Sequence, residues 1–368
     1  MPIGGGTHVG SGNVPASYDV ALSLAQMSRI VAHEPADLTV TVEPGLRIDE
    51  LQRALAAYGQ FLPLDPACDD AATIGGVLAV NAYGPLRHAF GTARDWLIGT
   101  RVVHADGSLS KSGGRVVKNV TGYDMHKLYV GSLGTLGVLV EATLKVAPLP
   151  HSEATLAIGC RSAVHGSEMI LAAHDAGLAV HAAELLSPPA SHAVLGQSRW
   201  CALMRVAGGA GAVARSLRQI DGMATAAGDA IETLDSSTSW GAWSTTFRPR
   251  GVALRISVMP SRVGDAMQVL DRRLTGGAAQ LSATVTVGLI RAGLESNSDG
   301  HAIAVIEAAR EVATQFDGSM VIDAAPAAVK RDIDVFGPTR SDFAIMRRLK
   351  DEFDPKRILS PGRFAGRL

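Results

Sequence analysis

Cysteine is scarce in this sequence of 368 residues, which contains three of them. Cys68, Cys160 and Cys201 lie far apart and never show the C-x-x-C spacing of zinc ribbons and iron–sulfur proteins. An odd number of scattered cysteines also does not suit a disulfide framework. We therefore expect reduced, buried thiols and no iron–sulfur cluster in this chain.

An excess of charge and long apolar runs are also absent. The 34 Lys and Arg residues balance 35 Asp and Glu residues, and there is no basic block of the kind that binds nucleic acid. No run of eighteen apolar residues occurs, and Met1-Pro2-Ile3-Gly4 does not begin a signal peptide. These features predict a cytoplasmic protein without a nucleic-acid partner or a transmembrane segment.

Glycine, in contrast, is abundant, with 40 residues that cluster mainly before position 140. Between the clusters, the apolar pattern predicts strands at 38–42, 97–104 and 137–146 and a helix at 49–59. Pro148 and Pro150 then end this first domain.

The length of the chain predicts more than one domain. We place the first domain at 1–150, a second domain at 151–330 and a C-terminal segment that returns to the first domain at 331–368. The order strand-helix-strand, strand-helix-strand in the second domain fits a ferredoxin-like antiparallel α+β sheet, and residues 251–326 are predicted to repeat it.

A glycine loop stands near the start of the chain, in the stretch MPIGGGTHVGSGN. Gly5 to Gly10 has the spacing of a P-loop, but Ser11 replaces the lysine, and no G-x-G-x-x-G fingerprint occurs in the sequence. Successive glycines can direct several N–H groups to one anion, and they let the backbone approach a pyrophosphate closely. The alternative is a flexible terminus.

Further glycine-rich segments favour the first alternative. They read LPLDPACDDAATIGGVLAVNAYG, RHAFGTARDWLIGTRVV and VKNVTGYDMHKLYVGSLGTLGVLVEATLKVAPLP, and the tail reads MRRLKDEFDPKRILSPGR. The series resembles the FAD-binding domain shared by vanillyl-alcohol oxidase, p-cresol methylhydroxylase and D-lactate dehydrogenase relatives. Within that family it is most similar to the FAD-binding subunit of bacterial glycolate oxidase. The resemblance implies an α+β fold with a p-cresol methylhydroxylase-type FAD-binding domain and a ferredoxin-like cap domain.

The resemblance also implies which residues contact the cofactor. The two pyrophosphate loops would consist of Gly4, Gly5, Gly6 and Thr7 and of Thr73, Ile74, Gly75 and Gly76, with Pro66 shaping the approach. Further contacts along the cofactor and at its adenine side would come from Lys118, Gly122, Tyr123, Gly134, Gly137 and Val138. Ser360 would close over the flavin ring, at a position where the family usually has Asn. Arg94 and Asp95 are either a pair next to the cofactor or a surface ion pair.

The register of the first loop bears on how FAD is attached. Some family members bind flavin covalently through a histidine in this loop, but here Thr7, and not His8, occupies that position, which implies noncovalent FAD. Members of the family also have a strand–helix–strand before the loop, whereas three residues precede Gly4 here. Either the true start lies upstream or the chain is shortened, and weakened FAD retention is expected.

The resemblance implies an enzyme that oxidises a 2-hydroxy acid to a 2-oxo acid, with this chain as the FAD-binding subunit of a glycolate oxidase-like hetero-oligomer. Relatives often carry an H-x-x-H and H-x-G-D-G-N-x-H cluster that holds a metal and a base. This sequence has neither motif, so catalytic residues stay unassigned and no metal site is expected. A second FAD- and metal-binding subunit and an iron–sulfur subunit would be required for activity, with peripheral attachment to the inner membrane through the complex as one option.

Two alternatives to this function remain open. The chain could be a self-sufficient FAD-dependent D-lactate-type dehydrogenase, or a non-catalytic scaffold subunit that has lost flavin. A carboxylate clamp is also open, since the candidates Arg248, Arg250, Arg255 and Arg291 could bind a substrate carboxylate near Trp240 and Trp243. Equally, these side chains could be solvent-facing arginines and core tryptophans.

Overall fold

The computed structural model describes residues 1–68, 70–115, 122–274 and 278–368. By their internal contacts they form two compact units. The first unit comprises residues 1–83, 91–149 and 330–368, and the second comprises residues 84–90 and 150–329. The first unit is therefore built from both ends of the chain.

The strands and helices of the first 149 residues confirm the predicted elements to within a few residues. They are β1 (Pro2–Ile3), β2 (Leu22–Ser23), β3 (Ile30–Glu34), β4 (Thr39–Val42), α1 (Ile48–Ala56), β5 (Gln60–Phe61), α2 (Ile74–Val80), α3 (Arg87–Phe90), α4 (Ala93–Trp96), β6 (Leu97–Val103), β7 (Leu109–Gly113), β8 (Val138–Lys145) and β9 (Ala147–Pro148). Helix α3 belongs to the second unit.

An antiparallel sheet with the order β3-β4-β8-β6-β7 forms the centre of the first unit. All four residues of β4 are buried, and its two valines pack in an apolar core with Leu51 and Leu55 of α1 and Leu144 of β8. Two buried threonines of this sheet satisfy each other, because the Thr41 and Thr143 hydroxyls hydrogen-bond at 3.0 Å. A short parallel pair, β1 with β2, lies outside this sheet.

The remaining elements follow from residue 150 onwards. They are β10 (Ser152–Cys160), α5 (Ala163–Asp175), β11 (Val180–Leu186), α6 (Pro188–Leu195), β12 (Trp200–Gly208), α7 (Ala210–Ala227), β13 (Ile231–Leu234), α8 (Ser236–Thr246), β14 (Val252–Ser257), α9 (Val263–Arg273), β15 (Gln280–Thr284), β16 (Leu289–Leu294), α10 (Asp299–Gln315), β17 (Ser319–Ala324), α11 (Ala327–Asp332) and α12 (Phe343–Phe353). None of the helices in the described ranges has the length and apolar character that crossing a membrane requires.

The second unit consists of two ferredoxin-like halves in one antiparallel sheet. The sheet order is β13-β10-β12-β11-β15-β16-β14-β17. Strands β10 to β13 with α5 and α7 form one β-α-β-β-α-β motif, and β14 to β17 with α9 and α10 form the other. The halves join where β11 pairs with β15, at Leu185 and Leu186. The structure thus confirms the predicted ferredoxin-like fold and its repetition.

A buried ion pair holds the C-terminal segment in the first unit. Lys350 in the last turn of α12 donates to Asp354 at 2.6 Å and to the backbone carbonyls of Thr135 and Leu359 at 2.9 Å each. Burial alone would raise the pKa of Asp354, but hydrogen bonds from Lys350 and from two backbone N–H groups hold it below its ordinary value. The pair therefore ties α12 to the loop at Thr135.

We expect the Asp354→Asn variant to lower the free energy of unfolding by about 3–5 kcal/mol, because it leaves the buried Lys350 without a counterion. Asp351→Asn is a matched control, since Asp351 pairs with Arg357 at 2.8 Å on the surface and should cost less than about 1 kcal/mol. Urea unfolding of both variants measures the difference. Equal losses would show that the carbonyl contacts of Lys350 suffice without Asp354.

Candidate cofactor site

A cavity in the first unit is lined by segments that are distant in the sequence. It brings together residues 1–9, the start of α2, the turn before β8 and Arg363. Nine of the predicted cofactor-binding residues line it, namely Gly4, Gly5, Gly6, Thr7, Thr73, Gly75, Gly76, Gly134 and Gly137. Its volume of about 80 Å³ is below the range of about 300–1,000 Å³ that encloses whole ligands. The cavity is therefore suited to one part of a dinucleotide.

The first glycine loop follows β1 and presents unpaired N–H groups. Within the described part of the chain, no backbone carbonyl accepts from the N–H groups of Gly5, Gly6 or Thr7. Gly6 has a positive φ of 78° and open space at its Cβ position. Consecutive N–H groups in such a turn form a concavity that binds anions.

Gly4 and Gly5 allow the first loop to contact the second directly. A Cβ on Gly4 would lie 2.1 Å from Thr73 Oγ1, and one on Gly5 would lie 1.5 Å from the Ala71 carbonyl oxygen. Neither glycine could be replaced without moving the two loops apart. The resemblance attributed these glycines to close approach of a cofactor, whereas the structure gives them a packing role as well.

The second loop has few free donors. The N–H groups of Ile74 and Gly75 donate to the carbonyls of Leu46 and Pro44, and that of Gly76 donates to the Thr73 hydroxyl, which caps α2. A Cβ on Gly75 would lie 2.6 Å from Pro44 Cβ, whereas a Cβ on Gly76 would meet only Thr73 Oγ1, at 3.3 Å. The second loop thus shapes the cavity wall through its small residues and offers few donors to a ligand.

Ser360 lies close to the third cavity segment. It is buried in a left-handed conformation with φ of 47°, which asparagine and glycine tolerate better than serine. This conformation gives a physical reason for the asparagine that the family usually has here. The Ser360 hydroxyl is buried without a hydrogen-bond partner among the described residues, and it would lie 3.9 Å from a Cβ on Gly134.

The other predicted site residues do not line this cavity. Pro66 and Ile74 are buried, and Val138 is the buried first residue of β8. Gly122 and Tyr123 line a second cavity of about 450 Å³, with the Tyr123 side chain 91% exposed. Lys118 lies outside the described residues.

Arg94 and Asp95 are both exposed and contact other groups. The Asp95 carboxylate accepts from the backbone N–H of Thr92 at 2.8 Å and from its hydroxyl, and so caps α4. Arg94 reaches the Lys127 carbonyl at 3.5 Å. The sequence predicted either a pair next to the cofactor or a surface ion pair. The structure adds a third role for Asp95, that of a helix cap.

Two buried cations beneath the first loop were not predicted from the sequence. Arg363 donates from Nε to the Ser11 carbonyl and from its terminal nitrogen to the carbonyls of His8 and Val9, each at 2.9 Å. Lys330 donates to the Gly10 carbonyl. Burial lowers the pKa of Arg363, and burial together with the charge of Arg363 lowers the pKa of Lys330 to about 8. One signal in the sequence could have indicated the role of Arg363, namely a basic residue directly after the Pro-Gly pair of the tail.

In the second unit, the tryptophans are core residues. Trp240 and Trp243 are buried, and their indole N–H groups donate to Thr155 and Ser282. This favours the alternative of structural tryptophans over walls of a flavin site.

Two of the candidate arginines in the second unit face carboxylates. Arg291 lies 3.8 Å from the fully buried Glu184, and Arg255 lies 3.1 Å from Asp323. Burial raises the pKa of Glu184, with Arg291 and two hydroxyl donors opposing this effect. Arg255 and Arg291 are direct partners across β14 and β16. The sheet therefore carries two adjacent guanidinium groups with a carboxylate on each outer side.

Comparison with known proteins agrees with this architecture. Residues 1–113 match an FAD binding domain, and residues 338–364 match the C-terminal domain of FAD linked oxidases. Glycolate oxidase subunit GlcD of Bacillus subtilis is 38% identical over 156 residues, which cover 42% of this chain and 33% of that protein. Glycolate oxidase subunit GlcE of Escherichia coli is 41% identical over 128 residues, which cover 34% of this chain and 37% of that protein.

A third relative, the mitochondrial D-lactate dehydrogenase [cytochrome] of Arabidopsis thaliana, is 34% identical over 186 residues, covering 50% of this chain and 32% of that protein. The chain thus spans about a third of the length of these curated relatives. Among solved structures, p-cresol methylhydroxylase superposes with a TM-score of 0.75 at 14% identity, over 99% of this chain and 83% of that one. Alkyldihydroxyacetonephosphate synthase superposes with a TM-score of 0.72 at 17% identity, over 98% and 71%. The chain therefore carries a matched FAD binding domain and a match to the C-terminal domain of FAD linked oxidases, and it has the fold of p-cresol methylhydroxylase.

Proposed function

We propose that the first unit holds the pyrophosphate of FAD, noncovalently, at the cavity formed by the two glycine loops. We further propose that the chain is the FAD-binding subunit of a glycolate oxidase-like complex that oxidises a 2-hydroxy acid. The observation that carries the first proposal is the row of unpaired N–H groups at Gly5, Gly6 and Thr7 in the cavity wall.

The chemistry of the cavity fits a pyrophosphate. An anion of this kind needs several hydrogen-bond donors and positive charge. The N–H groups of the first loop are donors, and Arg363 lines the cavity as a buried cation. Gly6 in the first loop and Gly76 in the second keep side chains out of the space that the phosphates would occupy.

The proposed division of labour assigns the redox chemistry to the cofactor. Bound FAD would accept the two electrons that are released when a 2-hydroxy acid becomes a 2-oxo acid. Arg255 and Arg291, which are direct partners across β14 and β16, are the proposed candidates for binding a substrate carboxylate. Glu184 and Asp323 would orient the two guanidinium groups from the outer sides.

The similarity to GlcD and GlcE supports a multi-subunit assembly. The proposed partners are a metal-binding FAD subunit, which would supply the base, and an iron–sulfur subunit for onward electron transfer. The D-lactate dehydrogenase relative favours a second candidate, a self-sufficient dehydrogenase. Because FAD is the assigned cofactor, no observation supports the alternative of a non-catalytic scaffold subunit that has lost flavin.

We expect Gly76→Val to weaken FAD binding by about tenfold or more, equal to about 1.4 kcal/mol, because the added side chain enters the cavity. The fold should persist, since the nearest atom to a Cβ at this position is the Thr73 hydroxyl. Gly222→Val, at a helix position with open space around it, is the matched control and should bind FAD as the parent does. Quenching of flavin fluorescence measures both affinities, and an unchanged affinity of the Gly76 variant would argue against this placement.

Acid precipitation of the holoprotein should release all flavin into the supernatant. Thr7 occupies the position of the attaching histidine in covalent family members, and its hydroxyl contacts His8 Nδ1 at 2.9 Å. Absorbance of the pellet and the supernatant measures the distribution. Yellow colour that stays with the pellet would contradict noncovalent binding.

The isolated, FAD-loaded chain should reduce an artificial dye with glycolate or D-lactate at a rate at least about a hundredfold below that of the assembled complex. General-base catalysis contributes about two to four decades in rate, and the sequence has no histidines closer together than His174 and His181. Steady-state assays with and without the partner subunits make the comparison. Equal rates would favour the self-sufficient dehydrogenase.

A further inference from the structure

Lys330 and Arg363 form a pair of cations buried beneath the first glycine loop. Each side chain belongs to a residue that is 5% exposed. Together they donate to four successive carbonyls, those of residues 8 to 11. The structure therefore directs the oxygen atoms of this stretch towards the two cations.

Within the described ranges, neither cation hydrogen-bonds to a carboxylate, and both donate to backbone carbonyls. Burial lowers the pKa of Arg363, and burial together with the charge of Arg363 lowers the pKa of Lys330. Two like charges in a desolvated place repel each other, and carbonyl dipoles compensate buried charges only in part. An anion at the adjacent cavity, which Arg363 lines, would remove this imbalance.

We propose that Lys330 and Arg363 together supply the positive charge that neutralises the pyrophosphate of FAD at the first loop. The inference rests on the proposed placement of FAD. Arg363 would act from the cavity wall, whereas Lys330 would act as a positioning residue through the Gly10 carbonyl. Since their carbonyl contacts also hold residues 8 to 11, the C-terminal segment would determine both the charge and the shape of the pyrophosphate site.

This arrangement couples cofactor binding to a proton. With a pKa of about 8, Lys330 is about half neutral at pH 8, and a nearby anion favours its charged form. Among the neighbouring charged groups, Arg363 acts on this pKa, Arg367 donates to the Lys330 backbone carbonyl, and Asp334 accepts from the Gly366 N–H. Met1 also lines the cavity, and burial and the charge of Arg363 lower the pKa of its ammonium group. Binding of a pyrophosphate at pH 8 should therefore be coupled to proton uptake by Lys330 and by this ammonium.

The test is calorimetric titration of the full, deflavinated chain at pH 8 with FAD, with ADP and with riboflavin, in two buffers of different ionisation enthalpy. FAD and ADP should bind with net proton uptake, whereas riboflavin, which lacks phosphate, should bind without uptake. This result needs no variant. Binding of FAD or ADP without proton uptake would overturn the inference but not the proposed function.

The Lys330→Met variant separates charge from structure. It should bind FAD and ADP about tenfold more weakly, with less proton uptake than the parent, and should keep the riboflavin affinity of the parent. Lys356→Met, at an exposed position, is the matched control and should leave all three affinities unchanged. Unchanged FAD binding by the Lys330 variant, or equal losses for FAD and riboflavin, would overturn the inference. A parent chain that binds neither FAD nor ADP would instead overturn the proposed function.

Discussion

The first unit depends on buried cations that satisfy the carbonyls of irregular backbone. Three buried cations come from residues 330–368, namely Lys330, Lys350 and Arg363. Each donates to carbonyls outside regular helices and strands. A buried carbonyl without a hydrogen-bond partner costs free energy of folding. Loops lack the regular backbone hydrogen bonds that satisfy carbonyls in helices and strands. Charged donors form stronger hydrogen bonds than neutral ones. The glycine loop near the start of the chain is thus held in place by residues more than 300 positions away.

The two kinds of glycine in the cavity wall follow from this constraint. Gly4, Gly5 and Gly75 lack side chains because neighbouring protein atoms occupy the space. Gly6 and Gly76 have room for a Cβ or nearly so, which is consistent with a ligand as the neighbour that they accommodate. The same wall has free N–H groups in the first loop and engaged N–H groups in the second. An anion would therefore interact asymmetrically with the two loops.

The second unit reaches its size by repeating one motif. Two β-α-β-β-α-β halves share a continuous sheet through the pairing of β11 with β15. Joining the halves at these edges satisfies two strand edges that would otherwise be exposed. It also places Arg291 beside the buried Glu184 near the join, so that a polar cluster lies within an otherwise apolar sheet. Removing one partner of such a buried pair is costly, because the other charge is then left uncompensated.

The sequence by itself determined the local elements and indicated FAD as the cofactor. Apolar alternation predicted β4, β6 and β8, and the glycine segments indicated FAD, because these signals depend on neighbours within about ten residues. The repeated order of strands and helices likewise indicated the ferredoxin-like halves. Only the tertiary structure decided which donors of the site are free. The partners of the first loop lie at positions 330 and 363, and the role of Asp95 as a cap depends on where α4 begins. Hydrogen bonds between residues so far apart leave no periodic pattern in a single sequence, so their charges could be recognised only once the fold had brought them together.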